Sequence, residues 1–439
     1  MALPPLPSSG ILLQPEMPLC QSDLPLDWYQ DAFRPYAEEY LALPDRTPET
    51  VLPWMDSYLR PALDQLGSEL MLLAHYYMGG EIVKLVERYG GQVADSYLLA
   101  RQAVLHPEKR LLVESAVHFM AEAIAILASP DQQVYITNPK SGCTMEMMAK
   151  DFMVAPAVRT LRDYCGDDLM VVAYMNTSAR VKALAGSSGG SVCTSSNAAA
   201  ILRWAREQGR KIFFVPDRHL GENVAREVGI PRDRVWQWPG GHEGADLEVS
   251  KLGARDRERL DRAELVLWGS FCGVHTIFDP AHVDYWRRLD YRVLVHPECP
   301  ASVVDVADGA GSTHFLWHTV LEAAAGSRFA IGTEGHFVLN LREQAARIGI
   351  EVVHLADLPG VADAGCGCAT MSRNDPPHLV ALLDLLAKGK APEANRVLPG
   401  DCVDEVSGAR ERLDERARSV VVRDARRALE RMIELTETV

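Results

Sequence analysis

No run of about 18 apolar residues occurs anywhere in the 439 positions, which excludes an ordinary membrane-spanning helix. The opening stretch MALPPLPSSGILLQPEMPLC carries no lysine or arginine and no sustained apolar core, so no secretory leader is expected. Positive charge is scarce, with 45 Lys and Arg against 60 Asp and Glu, a net charge of −15. A non-specific nucleic-acid binder needs a basic face, and this balance excludes one. There is no G-x-G-x-x-G after a strand, no G-x-x-x-x-G-K-[ST] and no strand-to-helix G-x-S-x-G elbow. C-x₂₋₄-C pairs are also missing, which argues against a zinc knuckle.

What is present is alternation. MLLAHYY, RLLVES, VYITN, VVAYMN, SVCTSS, KIFFVPD, ELVLWGS, RVLVHPE, RFAIGTE and EVVHLAD read as short buried strands. Between them, stretches such as EIVKLVERYG, HFMAEAIAILAS and NAAAILRWAREQG have helical spacing. This pattern predicts an α/β fold with parallel sheets covered on both faces. Five segments are expected: a Pro-rich arm to residue 46 that packs late or stays loose, αβα domains over about 47–147, 148–277 and 278–371, and a helical segment 372–439 packing on the first domain. A polar insertion is expected at about 231–263.

In such sheets ligands gather at the carboxyl ends of strands. That rule marks His75, Tyr77, Asn176, Asp217, Cys272, His275, His296, Glu298, Thr333 and Glu334. A cytosolic location is expected, where disulfides are rare, so the nine cysteines need another explanation. Cys143, Cys272 and Cys368 each sit in a loop after a predicted strand. On spacing alone they are three unrelated buried thiols or the corners of one metal site. Cys272, in WGSFCGVH, could be a core thiol, a nucleophile beside His275, a zinc ligand or a cluster ligand.

Many ordered blocks resemble the quinolinate synthase family over about residues 60–400. They include AHYYMGGEI, ADSYLLAR, VHFMAEAIAIL, GCTM, VVAYMNTSARVKA, VCTSSNA, PDRHLG, WGSFCGVH, HPECP, GAGST, GTE and CATMSRN. The resemblance implies three similar αβα domains around a pseudo-threefold axis, each giving one cysteine to a [4Fe-4S] cluster. Carried onto this chain, the ligands are Cys143, Cys272 and Cys368, with Cys366 a near neighbour of the last. The implied reaction condenses iminoaspartate with dihydroxyacetone phosphate to quinolinate, releasing phosphate and water. An aspartate oxidase or dehydrogenase is the implied source of the imine.

The same resemblance suggests roles. Glu298 beside His296 is the general acid/base, with a raised carboxyl pKa expected in a dry pocket. Tyr77, Tyr174 and Thr313 join them as catalytic candidates. His75, Asp95, Ser96, Asn176, Ser195, His275 and Ser312 are substrate-binding candidates. Plainer readings exist: Tyr77 and Tyr174 as buried aromatics, His75 as a core histidine, Ser312 as a helix cap, Asp217 and His219 as structural. The chain departs from the family pattern at Lys140, His314, Gly335 and Ala369-Thr370. These departures keep a paralogue with a related substrate in view, and a cluster-bearing sensor or a zinc hydrolase are readings of other classes.

Overall fold

The apolar run LMLLAH forms strand β1 (Leu70–His75), almost wholly buried, as a strand covered on both faces should be. The computed structural model describes residues 24–239, 247–359, 367–404 and 407–437. With β2 (Gln92–Ala94), β3 (Leu111–Ser115) and β4 (Gln133–Ile136), β1 makes a parallel sheet of order β2-β1-β3-β4. A second sheet holds β5 (Leu169–Tyr174), β6 (Ser191–Cys193), β7 (Lys211–Val215), β8 (Val235–Gln237) and β9 (Leu265–Leu267), in the order β6-β5-β7-β9-β8. The third holds β10 (Arg292–Val295), β11 (Gly309–Ala310), β12 (Arg328–Gly332) and β13 (Glu351–His354), in the order β11-β10-β12-β13. Every pairing in the three sheets is parallel. The fold is α/β, with one strand order used three times and one extra edge strand in the middle sheet.

Within these three sheets, three strands escape the periodicity reading: β2, β8 and β11. Each has only two or three residues and lies at a sheet edge, too short for an apolar pattern. β8 falls inside the expected insertion, which therefore extends the second sheet rather than only looping out.

Two other expectations need correction. The arm is not loose from residue 24 onward. Tyr29, Phe33 and Ala37 are buried, Tyr29 stacks on His378 at 4.7 Å, and its hydroxyl donates to Asp375. Spacing of four residues gives this segment a helical apolar face, and helix Arg34–Leu41 uses it against helix Pro376–Ala387. Nor does the whole of 372–439 pack on the first domain. Helix Pro376–Ala387 lies on helix Pro48–Leu66, but the terminal helix Glu415–Glu437 lies on helix Ala179–Ser187 and β6 of the second sheet. Gly186 permits this: a Cβ there would sit 1.8 Å from the Asp424 carbonyl oxygen. Among the described residues, no helix is long and apolar enough to cross a membrane.

One polar residue sits oddly in this core. Glu114 on β3 is fully buried between Leu73 and Ile136, and among the described residues neither carboxylate oxygen has a partner. Burial pushes its carboxyl well above the ordinary value of 4.5. A buried unpaired polar group costs about 1–3 kcal/mol, so Glu114→Leu should raise the unfolding free energy by an amount of that order, read as an upward shift of the urea midpoint. A folded-state pKa above the unfolded one means that the acid costs more as pH rises above about 4.5. The gain from Glu114→Leu should therefore be largest at neutral pH and shrink toward pH 4.5, which urea titrations across that range will measure.

Candidate active site

Each sheet turns polar at its carboxyl end, and the three ends share one pocket. From the first unit come His75 and Tyr77 after β1, Asp95 and Ser96 after β2, and Cys143 after β4. From the second come Tyr174 and Asn176 at β5, Ser195 after β6, and Cys272 and His275 after β9. The third contributes His296 and Glu298 after β10, Thr313 after β11, and Cys368 beyond β13. Ser312 lines the adjoining cleft with Ser195 and caps helix Thr313–Leu321 through the Phe315 N–H at 3.3 Å. Cys366 lies outside the described residues.

A chain of contacts crosses the pocket. The Tyr174 hydroxyl donates to Glu298 Oε1 at 2.5 Å. Glu298 Oε2 lies 2.9 Å from His275 Nδ1, an ion-pair contact poorly aligned for a hydrogen bond. His275 Nε2 lies 3.0 Å from Thr333 Oγ1, which also meets the Tyr77 hydroxyl at 3.0 Å. His275 and His296 stack at 4.6 Å. All these side chains except Tyr77 are less than 5 % exposed.

The electrostatics correct one expectation. Burial pushes the Glu298 carboxyl up, but His275 and the Tyr174 hydroxyl outweigh it and hold the carboxyl below its ordinary range. Glu298 is therefore an anion here, not a raised acid. Burial, with Glu298 nearby, keeps the Tyr77 and Tyr174 phenols neutral, far above their usual value. Burial also lowers His75 to about 4 and His296 to about 3.

The three loop thiols are half-buried and line the pocket together. Burial pushes each up, and the charges of its fellows add to this: Cys143 and Cys368 act on Cys272, and Cys368 acts on Cys143. Two of the loops are pinned by the same device. Asp217, fully buried, caps the helix after β7 by accepting the Leu220 N–H at 2.7 Å, and its other oxygen takes the Cys272 N–H at 3.0 Å. Glu334, also fully buried, caps the helix after β12 through the Phe337 N–H at 2.9 Å and takes the Cys368 N–H at 2.7 Å. In the first unit neutral groups serve instead: Ser141 Oγ donates to the Thr370 carbonyl at 2.6 Å and receives the Asn374 amide at 2.7 Å.

Cys272, His275 and Glu298 also bring ligand atoms within 4.8 Å of one another, a grouping that could suit a metal ion. Both ring nitrogens of His275 and both oxygens of Glu298 are already in contact with protein groups, so the triad is spent on internal pairing.

The chain is similar to known proteins. A family model described as quinolinate synthetase A protein, NadA, matches residues 62–398. The chain belongs to the quinolinate synthase family. It is 38% identical over 334 residues to the quinolinate synthase of Corynebacterium glutamicum, covering 75% of this chain and 80% of that protein. It is 37% identical over 359 residues to the quinolinate synthase of Streptomyces coelicolor, covering 81% and 86%. The Acidobacterium capsulatum quinolinate synthase is 37% identical over 362 residues, covering 80% and 89%. The relatives are named as enzymes, and this chain is a member of an enzyme family.

Sequence reasoning marked Thr333, Glu334 and Asp217 as strand-end residues but gave them no part in the site. The geometry makes Thr333 a bridge and the two carboxylates loop anchors. Their signal was the polar residue directly after an apolar run, in FAIGTE and FFVPD. Of the departures from the family pattern, Thr370 reaches the pocket, 3.1 Å from Cys368 Sγ, while Lys140 and His314 do not line it.

His75 and His296 should stay neutral well below pH 6.5. Their folded values lie under the unfolded one, so unfolding takes up protons, and the contribution of neutral burial to stability is full above pH 6.5. It is lost as pH falls, through about 4 for His75 and about 3 for His296. Nitrogen-15 spectra of histidine-labelled apoprotein should show both rings still neutral at pH 5. A midpoint near 6.5 for either would contradict the buried, uncharged pair.

Proposed function

We propose that this protein condenses iminoaspartate with dihydroxyacetone phosphate to quinolinate, with release of phosphate and two waters. One observation carries the reading: the Tyr77–Thr333–His275–Glu298–Tyr174 chain spans the same dry pocket as three thiols supplied one per unit. Membership of the quinolinate synthase family supports it. A [4Fe-4S] cluster on Cys143, Cys272 and Cys368 fits the donor set. The thiols are soft ligands, lying close enough to raise one another's pKa, and a cation would relieve that mutual cost. Among the described residues no fourth cysteine lines the pocket. When bound, such a cluster supplies one open iron as a Lewis acid for loss of a hydroxyl.

The remaining chemistry belongs to the chain. Glu298, ionised and held by Tyr174, is the base that removes a proton from carbon during enamine formation and isomerisation. Tyr174 and Tyr77, kept as neutral phenols, return protons to departing oxygen. His275 holds the Tyr77 side of the pocket in register through Thr333 and sets its other ring nitrogen against Glu298. Neutral His75 and His296 orient the reacting groups without adding charge beside Glu298. Asn176, Ser195, Ser312 and Thr313 offer donors to phosphate and carboxylates, Ser312 and Thr313 from the start of a helix. Asp95 receives the Ser196 hydroxyl at 2.7 Å and so joins the first and second units at the substrate wall. The reading includes a cytoplasmic enzyme supplied with imine by an aspartate oxidase or dehydrogenase.

Anaerobically purified protein should carry about four irons and a broad thiolate-to-iron band, both lost in Cys272→Ser. With iminoaspartate and dihydroxyacetone phosphate it should yield quinolinate, and absence of product from iron-loaded protein would turn the reading toward a paralogue with another substrate. Glu298→Gln should keep its iron and lower kcat by about 10²–10⁴-fold. Asp217→Ala should weaken iron retention by about 10-fold or more. Asp217→Asn, which still offers an oxygen to the Cys272 N–H, should retain iron better than Asp217→Ala in a chelator challenge.

A further inference from the structure

The departure at His314 leads to a second, separate feature. Helix Thr313–Leu321 reads THFLWHTVL, with histidines at 314 and 318. Residues four apart on a helix share a face. The two imidazoles are exposed, and their ring centroids are 4.2 Å apart with an interplanar angle of 48°. Neither ring lines the catalytic pocket or the adjoining cleft.

A metal–nitrogen bond is about 2.0–2.1 Å, so two imidazole nitrogens on one ion stand about 3 Å apart. Rings with centroids 4.2 Å apart bring facing nitrogens into that range by rotation about their side-chain bonds alone. A further observation points to a ligand. His318 Nδ1 lies 3.6 Å from Glu322 Oε1 one turn later. At that distance no hydrogen bond forms, but the carboxylate puts a negative charge one turn beyond His318, which favours a cation held at the ring.

We propose that His314 and His318 form a surface chelate site for a divalent transition-metal cation, with Glu322 as a nearby negative charge and water completing the coordination. The ion ties the first turn of the helix to the second. Since Ser312 caps this helix and Thr313 opens it at the pocket, occupancy fixes the turn that carries those two hydroxyls. The site is independent of the thiols and of the reaction proposed above.

The test uses the cluster-loaded full chain without an affinity tag and Ni²⁺ as the probe, because nickel favours imidazole. Equilibrium dialysis followed by metal analysis should find one Ni²⁺ per chain in the wild type and in Cys272→Ser. His314→Ala and His318→Ala should each weaken binding at least 10-fold, and Glu322→Gln should weaken it several-fold. All three positions are exposed, and unchanged circular dichroism will confirm folding. Equal nickel binding by the wild type and the His314→Ala/His318→Ala double variant overturns the proposal. So does loss of the nickel in Cys272→Ser with retention in the double variant, which would put the ion at the thiols.

Discussion

Parallel strand pairing is the constraint on which the rest depends. A parallel sheet sends all its strands out at one end, so the change from apolar to polar sequence happens on one side only. Here three sheets with the same internal order turn that side to one pocket. The offsets repeat as well. His75-Tyr76-Tyr77, Tyr174-Met175-Asn176 and His296-Pro297-Glu298 are the same positions at the end of the inner strand β1, β5 and β10. Asp95-Ser96, Ser195 and Ser312-Thr313 follow the neighbouring edge strand each time. One geometry, filled with different side chains, yields donors, an anion and three thiols.

The pocket holds one buried anion among acids that burial keeps protonated. Glu298 is ionised only because His275 and Tyr174 outweigh its burial. Asp217 and Glu334 bring carboxyl groups against the backbone of the very loops that carry Cys272 and Cys368. Among the described residues lining the pocket there is no lysine or arginine, so the Glu298 charge is balanced by the imidazole and phenol around it. Neutral histidines and phenols are what such a space can afford near the anion, and lowered imidazole and raised phenol pKa values express that.

Much of the fold was legible because buried parallel strands are continuous apolar runs, and ten of them announced the sheets. The short edges β2, β8 and β11 were not legible, since two or three residues carry no period. The arm was misread for a related reason: its prolines and acids hid the spacing of Tyr29, Phe33 and Ala37, whose partner His378 lies far along the chain. The terminal helix announced itself as a helix, but its berth depends on the missing side chain of Gly186, a fact about its neighbour. At the site, residue identities were legible and their charge states were not. The sign of the Glu298 shift turns on His275, and only the fold places that ring beside it. Thr333 and the two anchoring carboxylates were visible as polar ends of strands, but their partners are distant in sequence.

The division of the thiols has a consequence for how the protein comes into being. A nascent chain presents Cys143 first, Cys272 only after the second sheet is made, and Cys368 after the third. No partial product can offer all three together, and a chain cut between units loses the set. Assembly of the three-thiol pocket is thereby tied to completion of synthesis and correct docking of every part. The site works as a seal of integrity, closed only on molecules that are whole.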